Sequence, residues 1–259
     1  RISSPTKGSY VVPVNHTKCR DSRVFVGGIP GIWRRKSSLS EVGLPDGWLD
    51  YADWQPDKES PGLPAVTRFD AMYSVPSKPP ESQEQIVFYF IGLQNLKYGE
   101  TGTILQPVLD FGQTSQKEWG MSSWFCCPKG AMVQSKPFTG IGVAVKINTS
   151  ISAVFTAKNI SSAPNKYRVS SRLGDKDSSI VADTSKGYTF NWLCATLEIN
   201  SVGKCSQLPQ SPMTFSEMSA EIGGKAVELE WPEVTSATGC SGSIQVSSAN
   251  RTIEISHGG

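Results

Sequence analysis

Chemistry in this chain would have to come from amides, carboxylates and indoles. The 259 residues include two histidines, His16 and His257, one near each end. A serine or cysteine nucleophile would therefore lack a well-placed imidazole base. A zinc site lacks its ligands for the same reason, and no CxxC spacing occurs, so no metal or other cofactor is expected. "GGIPG" and "GYTFNW" do not form a glycine loop that leads into a helix and cradles phosphate. Glu228 and Glu230 alternate with Val227 and Leu229, which reads as the solvent side of a strand rather than a catalytic carboxylate pair. What remains is Gln106, in "GTILQPVLDFG" (102–112), an amide inside an apolar run. Burying it without partners would cost about 1–3 kcal/mol. An amide does not titrate, so it is no general base. It can donate to an oxyanion or orient a water. A catalytic role needs a carboxylate on a neighbouring strand. The residues alone leave a structural amide and a ligand-facing amide both open.

The elements that would position Gln106 are short strands. "TRFDAMYSVP" alternates Phe69, Ala71, Tyr73 and Val75 on one face, and "QIVFYFIGLQ" is a continuous run typical of a strand buried on both sides. "TILQPVLDFG", "SSWFCC", "GIGVAVKI", "SAVFTAK", "KYRVSSRL", "SSIVAD", "YTFNWLCATLEI", "AVELEW", "SIQVSS" and "TIEISH" follow, with breaks at spacings that argue for a sandwich or barrel. "FSEMSAEI" reads as the single short helical piece. Residues 1–65 are rich in Pro, Gly and Ser and read as an irregular N-terminal extension packed on a β-sandwich domain of residues 66–259. Trp33, Trp48 and Trp54 read as buried where that extension wraps the core, with an aromatic ligand platform as the alternative.

Composition narrows the setting. The net charge is +2, and the compact basic group Arg34, Arg35, Lys36 is too small to argue for nucleic acid. No apolar run reaches the ~18 residues of a membrane-spanning helix. Four Asn-x-Ser/Thr sequons, at Asn15, Asn148, Asn159 and Asn250, and six cysteines, Cys19, Cys126, Cys127, Cys194, Cys205 and Cys240, point to a secreted, glycosylated, disulfide-bonded protein. Cys194 and Cys205 form the best local pair, while adjacent Cys126 and Cys127 are expected to reach different partners. The start at Arg1 without methionine fits removal of a signal or pro-segment. Exposed edge strands would allow pairing into a homo-oligomer, though nothing in the sequence requires it.

Five stretches in order, "YSVPS" (73–77), "FYFIGLQ" (88–94), "GTILQPVLDFG" (102–112), "SSWF" (122–125) and "FNWLCATLE" (190–198), resemble the fungal glutamic peptidases, the eqolisins. They also resemble a broad group of secreted relatives that carry "F-x-GLQ…ILQPVLQ-x-G" and a "W-x-x-x-TLE" strand. The resemblance spans roughly residues 66–200 and implies an all-β fold. That fold is a two-sheet antiparallel β-sandwich, a concanavalin A-like jelly roll. In those peptidases a glutamine and a glutamate on neighbouring strands activate a water and hold the oxyanion. Gln106 matches the glutamine. Aligning Trp192 with the family's tryptophan puts Asn191 and Ala195 where its "EWIVE" strand has acids. By strand alternation Asn191, Leu193, Ala195 and Leu197 then share the matched face. Glu198 points away unless a bulge intervenes.

The missing acid makes a non-catalytic protein the leading expectation: one that binds a small-molecule, glycan or peptide ligand in the cleft, or serves an extracellular structural role. Gln106, Trp119, Trp124, Asn191 and Trp192 are the candidate lining. Two alternatives stand beside it. One is an acid-acting peptidase that uses Gln106 with Glu198. The other is a lectin-like carbohydrate binder.

Overall fold

The computed structural model describes residues 44, 47–56, 64–95, 103–115, 117–126, 138–160, 163–183, 189–236 and 240–257, with the side chains of 138, 155–160 and 163–165 outside that description. Among these residues two antiparallel eight-stranded sheets stack into a sandwich. The strands are β1 (Gly47–Trp54), β2 (Val66–Ser74), β3 (Ile86–Asn95), β4 (Thr103–Phe111), β5 (Trp119–Cys126), β6 (Phe138–Thr139), β7 (Val143–Ala144) and β8 (Ser150–Ile160). They continue with β9 (Ala163–Leu173), β10 (Lys176–Asp183), β11 (Trp192–Asn200), β12 (Met213–Ile222), β13 (Lys225–Val227), β14 (Glu233–Ser236), β15 (Ser243–Val246) and β16 (Ile253–Ser256). The front sheet runs β14-β1-β11-β3-β4-β5-β6, with β7 also on β5. The back sheet runs β10-β9-β8-β2-β12-β16-β15, with β13 on β12.

Period-two patterning builds the interior. Val87, Tyr89, Ile91 and Leu93 of β3 turn inward beside Leu105, Leu109 and Phe111 of β4 and Leu193, Ala195, Leu197 and Ile199 of β11. They meet Phe69, Ala71, Tyr73 and Phe215 from the back sheet in one apolar cluster. Trp119 lies fully buried in it, against Tyr89 and Phe111. Its placement corrects the expectation that Trp119 lines a ligand cleft. In "WGMSSW" the two indoles are five residues apart, so they face opposite sides of β5.

Two further expectations are corrected, both through bulges. "FSEMSAEI" is strand, inside β12. Phe215 and Met218 are both buried although three residues apart, because Glu217, at φ +53°, sits in a bulge opposite β2. That spacing imitates a helical face. Gly223 and Gly224 then close a tight hairpin to β13 with φ of +57° and +79°. Within the segment read as irregular, β1 is a full strand of the front sheet between β11 and β14. A register shift between Trp48 and Asp50 breaks its alternation and hides the strand signature. Residues 1–43, with Cys19, Asn15 and Trp33, lie outside the described residues.

The local break that shapes the site comes from Pro107. Proline brings no N–H to the ladder, and the β3–β4 pairing runs from Val87–Phe111 to Phe90–Val108 and resumes at Leu93–Leu105. Into this gap the back sheet inserts Tyr73. Its hydroxyl accepts from the Ile91 N–H at 2.6 Å and donates to the Pro107 carbonyl at 2.8 Å. Both backbone groups are thereby satisfied, and the two sheets are tied directly behind Gln106. Further along β5, Ser123 donates through Oγ to the Ser178 carbonyl at 2.7 Å, and Ser171 Oγ donates to the Ser122 carbonyl at 3.0 Å. These serines make a second polar tie between the layers.

The cysteines pair differently from the local expectation. Cys205 bonds Cys240, and Cys194 is a free buried thiol. Cys194 sits mid-strand, whereas Cys205 lies in a 3-10 turn beyond the strand's end, roughly 20 Å further along the chain. Cys126 is disulfide-bonded to a partner outside the described residues, which also exclude Cys127.

Candidate functional site

The outward face of the front sheet carries a second apolar cluster, distinct from the interior one. Phe90, Ile104, Val108 and Cys194 form its buried part, and Trp48, Phe88, Trp124 and Cys126 pack against it. Alternation places Ile104, Gln106, Val108 and Asp110 of β4 on this face. They sit beside Phe88, Phe90, Gly92 and Gln94 of β3 and Trp192, Cys194, Thr196 and Glu198 of β11. On the flanks it continues to Trp48, Tyr51 and Asp53 of β1 and to Ser122 and Trp124 of β5.

The expected face of β11 is corrected by this register. Ala195 points into the core, and Glu198 shares Gln106's face. Asn191 precedes β11 and is half-buried, with its backbone N–H donating to the Gln94 carbonyl at 3.3 Å. The inter-strand register, which one sequence does not carry, decides all three.

Sharing a face does not bring Glu198 to Gln106. Glu198 stands opposite Phe88, which stands opposite Asp110, four residues along β4 from Gln106. Two strand spacings and four residues of rise separate the two by roughly 16 Å. One water cannot touch both. The position across from Gln106, with Gly92 between, belongs to Cys194: Cys194 pairs with Gly92, and Gly92 lies level with Gln106 in the opened ladder. A Cβ on Gly92 would come within 2.5 Å of Cys194 Sγ and 2.7 Å of Ile104 Cδ1. The space over Gly92 is therefore filled by a thiol and a methyl. Burial pushes the Cys194 thiol up to about 12, so it is protonated at ordinary pH.

Two acids on this face are held partly by burial. Glu198 retains a little exposed surface but is ringed by protein, and burial pushes it up to about 7, against the pull of the Trp48 indole hydrogen bond. Asp110 is fully buried and pushed up to about 6. Its oxygens accept from the Thr114 N–H at 2.5 Å and hydroxyl at 2.6 Å, closing the turn after β4. That is a structural use of the carboxylate.

The aromatic residues form the walls. Trp124, half-buried, packs edge-on against Phe88 with centroids 5.6 Å apart and donates to Ser122 Oγ at 2.5 Å. Trp48 meets Phe90 at 5.9 Å and Trp192 at 6.2 Å. Gln106 is 5% exposed, and no hydrogen bond of its side chain is found among the described residues.

Sequence reasoning overlooked Gln94. It ends the quoted run "FYFIGLQ", in phase with Phe88 and Phe90, and that parity was the available signal. Gln94 has no exposed surface, and neither Nε2 nor Oε1 has a hydrogen-bond partner. Directly across from it, Trp192 is 3% exposed and its Nε1 is likewise without a partner.

Away from this face a serine, an aspartate and a histidine do meet. Asp50 lies between the other two, with His257 Nε2 2.7 Å from Oδ2 and Ser236 Oγ donating to Oδ1 at 2.7 Å. The imidazole is bonded to the carboxylate, not the hydroxyl, so the trio fastens β16 and β14 to β1 and activates no nucleophile. Glu228 and Glu230 are exposed on either side of buried Leu229. Asn148 is exposed in a turn and Asn250 half-buried in another, both at positive φ, while the side chain of Asn159 lies outside the description. Among the described residues no cluster of three His, Cys, Asp or Glu side chains could hold a metal ion.

Solved structures share this architecture. Scytalido-glutamic peptidase with a peptide-based transition-state analogue matches at TM-score 0.53 and 14% identity, over 82% of this chain and 98% of that one. SCP-B, a member of the eqolisin family of peptidases in complex with the tripeptide Ala-Ile-His, matches at TM-score 0.52 and 15% identity, over the same shares. At such identities the likeness is one of fold. No protein-family model and no curated protein matches the chain.

Proposed function

We propose that this protein is an extracellular, non-catalytic binding protein built on a glutamic-peptidase-like sandwich, with the outward face of the front sheet as its ligand surface. One observation carries the reading. The place that faces Gln106 across Gly92 is taken by Cys194, a protonated buried thiol, where a carboxylate would be needed to take a proton from water. Glu198, the acid nearest in sequence to the family's pattern, is displaced along the sheet beyond the reach of a shared water. The Cys205–Cys240 disulfide and the sequons support an oxidising, secretory setting. The aromatic walls and buried amides are what a ligand surface needs, a mostly apolar lining with a few placed polar groups.

The test is proteolysis of an unfolded protein substrate across about pH 2 to 7, where carboxylates titrate, with wild type and Gln106→Ala side by side. The expected result is no turnover by either folded protein. Acid proteolysis abolished by the substitution would overturn the reading.

A further inference from the structure

We propose that Gln94 and Trp192 are the recognition pair of the outward face, and that the ligand they take is a neutral saccharide. The proposal rests on the ligand-binding reading above and adds the chemical class.

The pair is unusual in how much hydrogen-bonding capacity it holds unused. Gln94 Nε2, Gln94 Oε1 and Trp192 Nε1 are all buried and all without a partner. Each such group lowers the stability of the folded chain unless something bonds it. Single polar atoms are left over elsewhere, at Tyr89 and Trp119 inside the core and at Thr103, Ser170 and Thr196 among others. Each of those is one atom of its side chain. At Gln94 an entire carboxamide is idle, and a second donor lies directly across the strand pair.

The type of these groups selects the ligand. They are neutral, two donors and one acceptor, on adjacent strands spaced about 4.8 Å apart. The hydroxyls of a sugar ring both donate and accept, so a ring can serve an amide and an indole together. The walls are rings: Trp48 lies 6.2 Å from Trp192, and Trp124 and Phe88 pack beyond Gln106. Such faces suit the C–H side of a pyranose as well as any flat apolar group. An extended peptide commonly binds by pairing with an open strand edge. Here β3 and β11 are central strands, each hydrogen-bonded on both sides, and the idle groups are side chains rather than backbone.

Calorimetric titration of the intact protein with a panel of neutral gluco-, manno-, galacto- and xylo-oligosaccharides tests this, with uncharged peptides of similar size run in parallel. Gln94→Leu and Trp192→Phe are the variants, since each keeps the apolar volume and removes the polar atoms. The expected result is binding of at least one neutral oligosaccharide, weakened about tenfold or more by each substitution. Thermal unfolding of the free variants supplies the control, with midpoints at or above wild type for Gln94→Leu. Failure of every saccharide overturns the proposal, as does saccharide binding that both variants retain. Binding of peptides alone overturns the saccharide class but leaves the ligand-binding reading in place. Cleavage of those peptides would remove that reading as well.

Discussion

The two faces of the front sheet differ in how they treat buried polar groups, although the inner face also leaves single atoms without a partner, at Tyr89 Oη and Trp119 Nε1. On the inner face, Tyr73 reaches through the core and completes the ladder that Pro107 interrupts, and Ser123, Ser171 and Ser178 are joined to one another and to backbone carbonyls. On the outer face, a few ångströms away through the same strands, Gln94 and Trp192 bury three polar atoms with nothing bonded to them. The first arrangement holds two sheets in register. The second costs stability and makes no bond within the fold. Asp110 shows that the outer face can also use a polar group structurally, through Thr114, so the idleness of Gln94 is not a property of the surface as a whole.

Substitutions can break or sharpen this contrast. The largest loss is expected at the strap between β16 and β1. His257→Leu leaves the Asp50 carboxylate buried with one partner fewer, and equilibrium denaturation should show about 3–5 kcal/mol of destabilisation. Next comes Tyr73→Phe, which strips the bridge from both the Ile91 N–H and the Pro107 carbonyl. Two buried backbone groups lose their partner, so about 2–4 kcal/mol should be lost.

A pH series separates the acids from the amides. Glu198 is raised from 4.5 to about 7 and Asp110 from 3.8 to about 6 in the folded protein. Each therefore binds its proton more tightly folded than unfolded. Below the unfolded values both states are protonated and the neutral acids cost nothing. As pH rises from about 4 to 7 the unfolded chain ionises first, and stability falls. Denaturation midpoints measured across that window should drop by an amount on the order of 1–3 kcal/mol for Glu198, and Glu198→Gln should flatten that part of the curve. A curve that rises through the same window would contradict the burial of these carboxyls. The smallest of the losses is expected at Ser171→Ala, about 1 kcal/mol, because its hydroxyl gives up one bond to the Ser122 carbonyl at 3.0 Å.

Much of the architecture could be read before any coordinates. The continuous apolar run of β3 and the alternation of β2 announce strands by composition and period. What stayed hidden has identifiable causes. The bulges at Trp48–Asp50 and at Glu217 shift the phase of β1 and β12, so one strand reads as irregular and the other as helical. At the site, Trp124 and Trp119 were separable by parity along β5, and Gln94 by parity along β3. The relation of Gln106 to Cys194 and Glu198 was not, because register between strands distant in sequence leaves no trace in either strand's own pattern. The Cys205–Cys240 pairing is of the same kind, joining residues 35 apart that only the packing of the chain brings together.

The measurement that tests the contrast most directly is paired thermal and chemical denaturation of Gln94→Leu and Tyr73→Phe in the free protein. The two changes remove buried hydrogen-bonding atoms that lie against opposite faces of the front sheet. The account predicts that Tyr73→Phe loses stability while Gln94→Leu holds or gains it, since no bond is broken and an idle amide is removed. A loss at Gln94→Leu comparable to that at Tyr73→Phe would mean the amide is bonded in the folded chain, and the claim that the outer face holds unused recognition groups would be wrong.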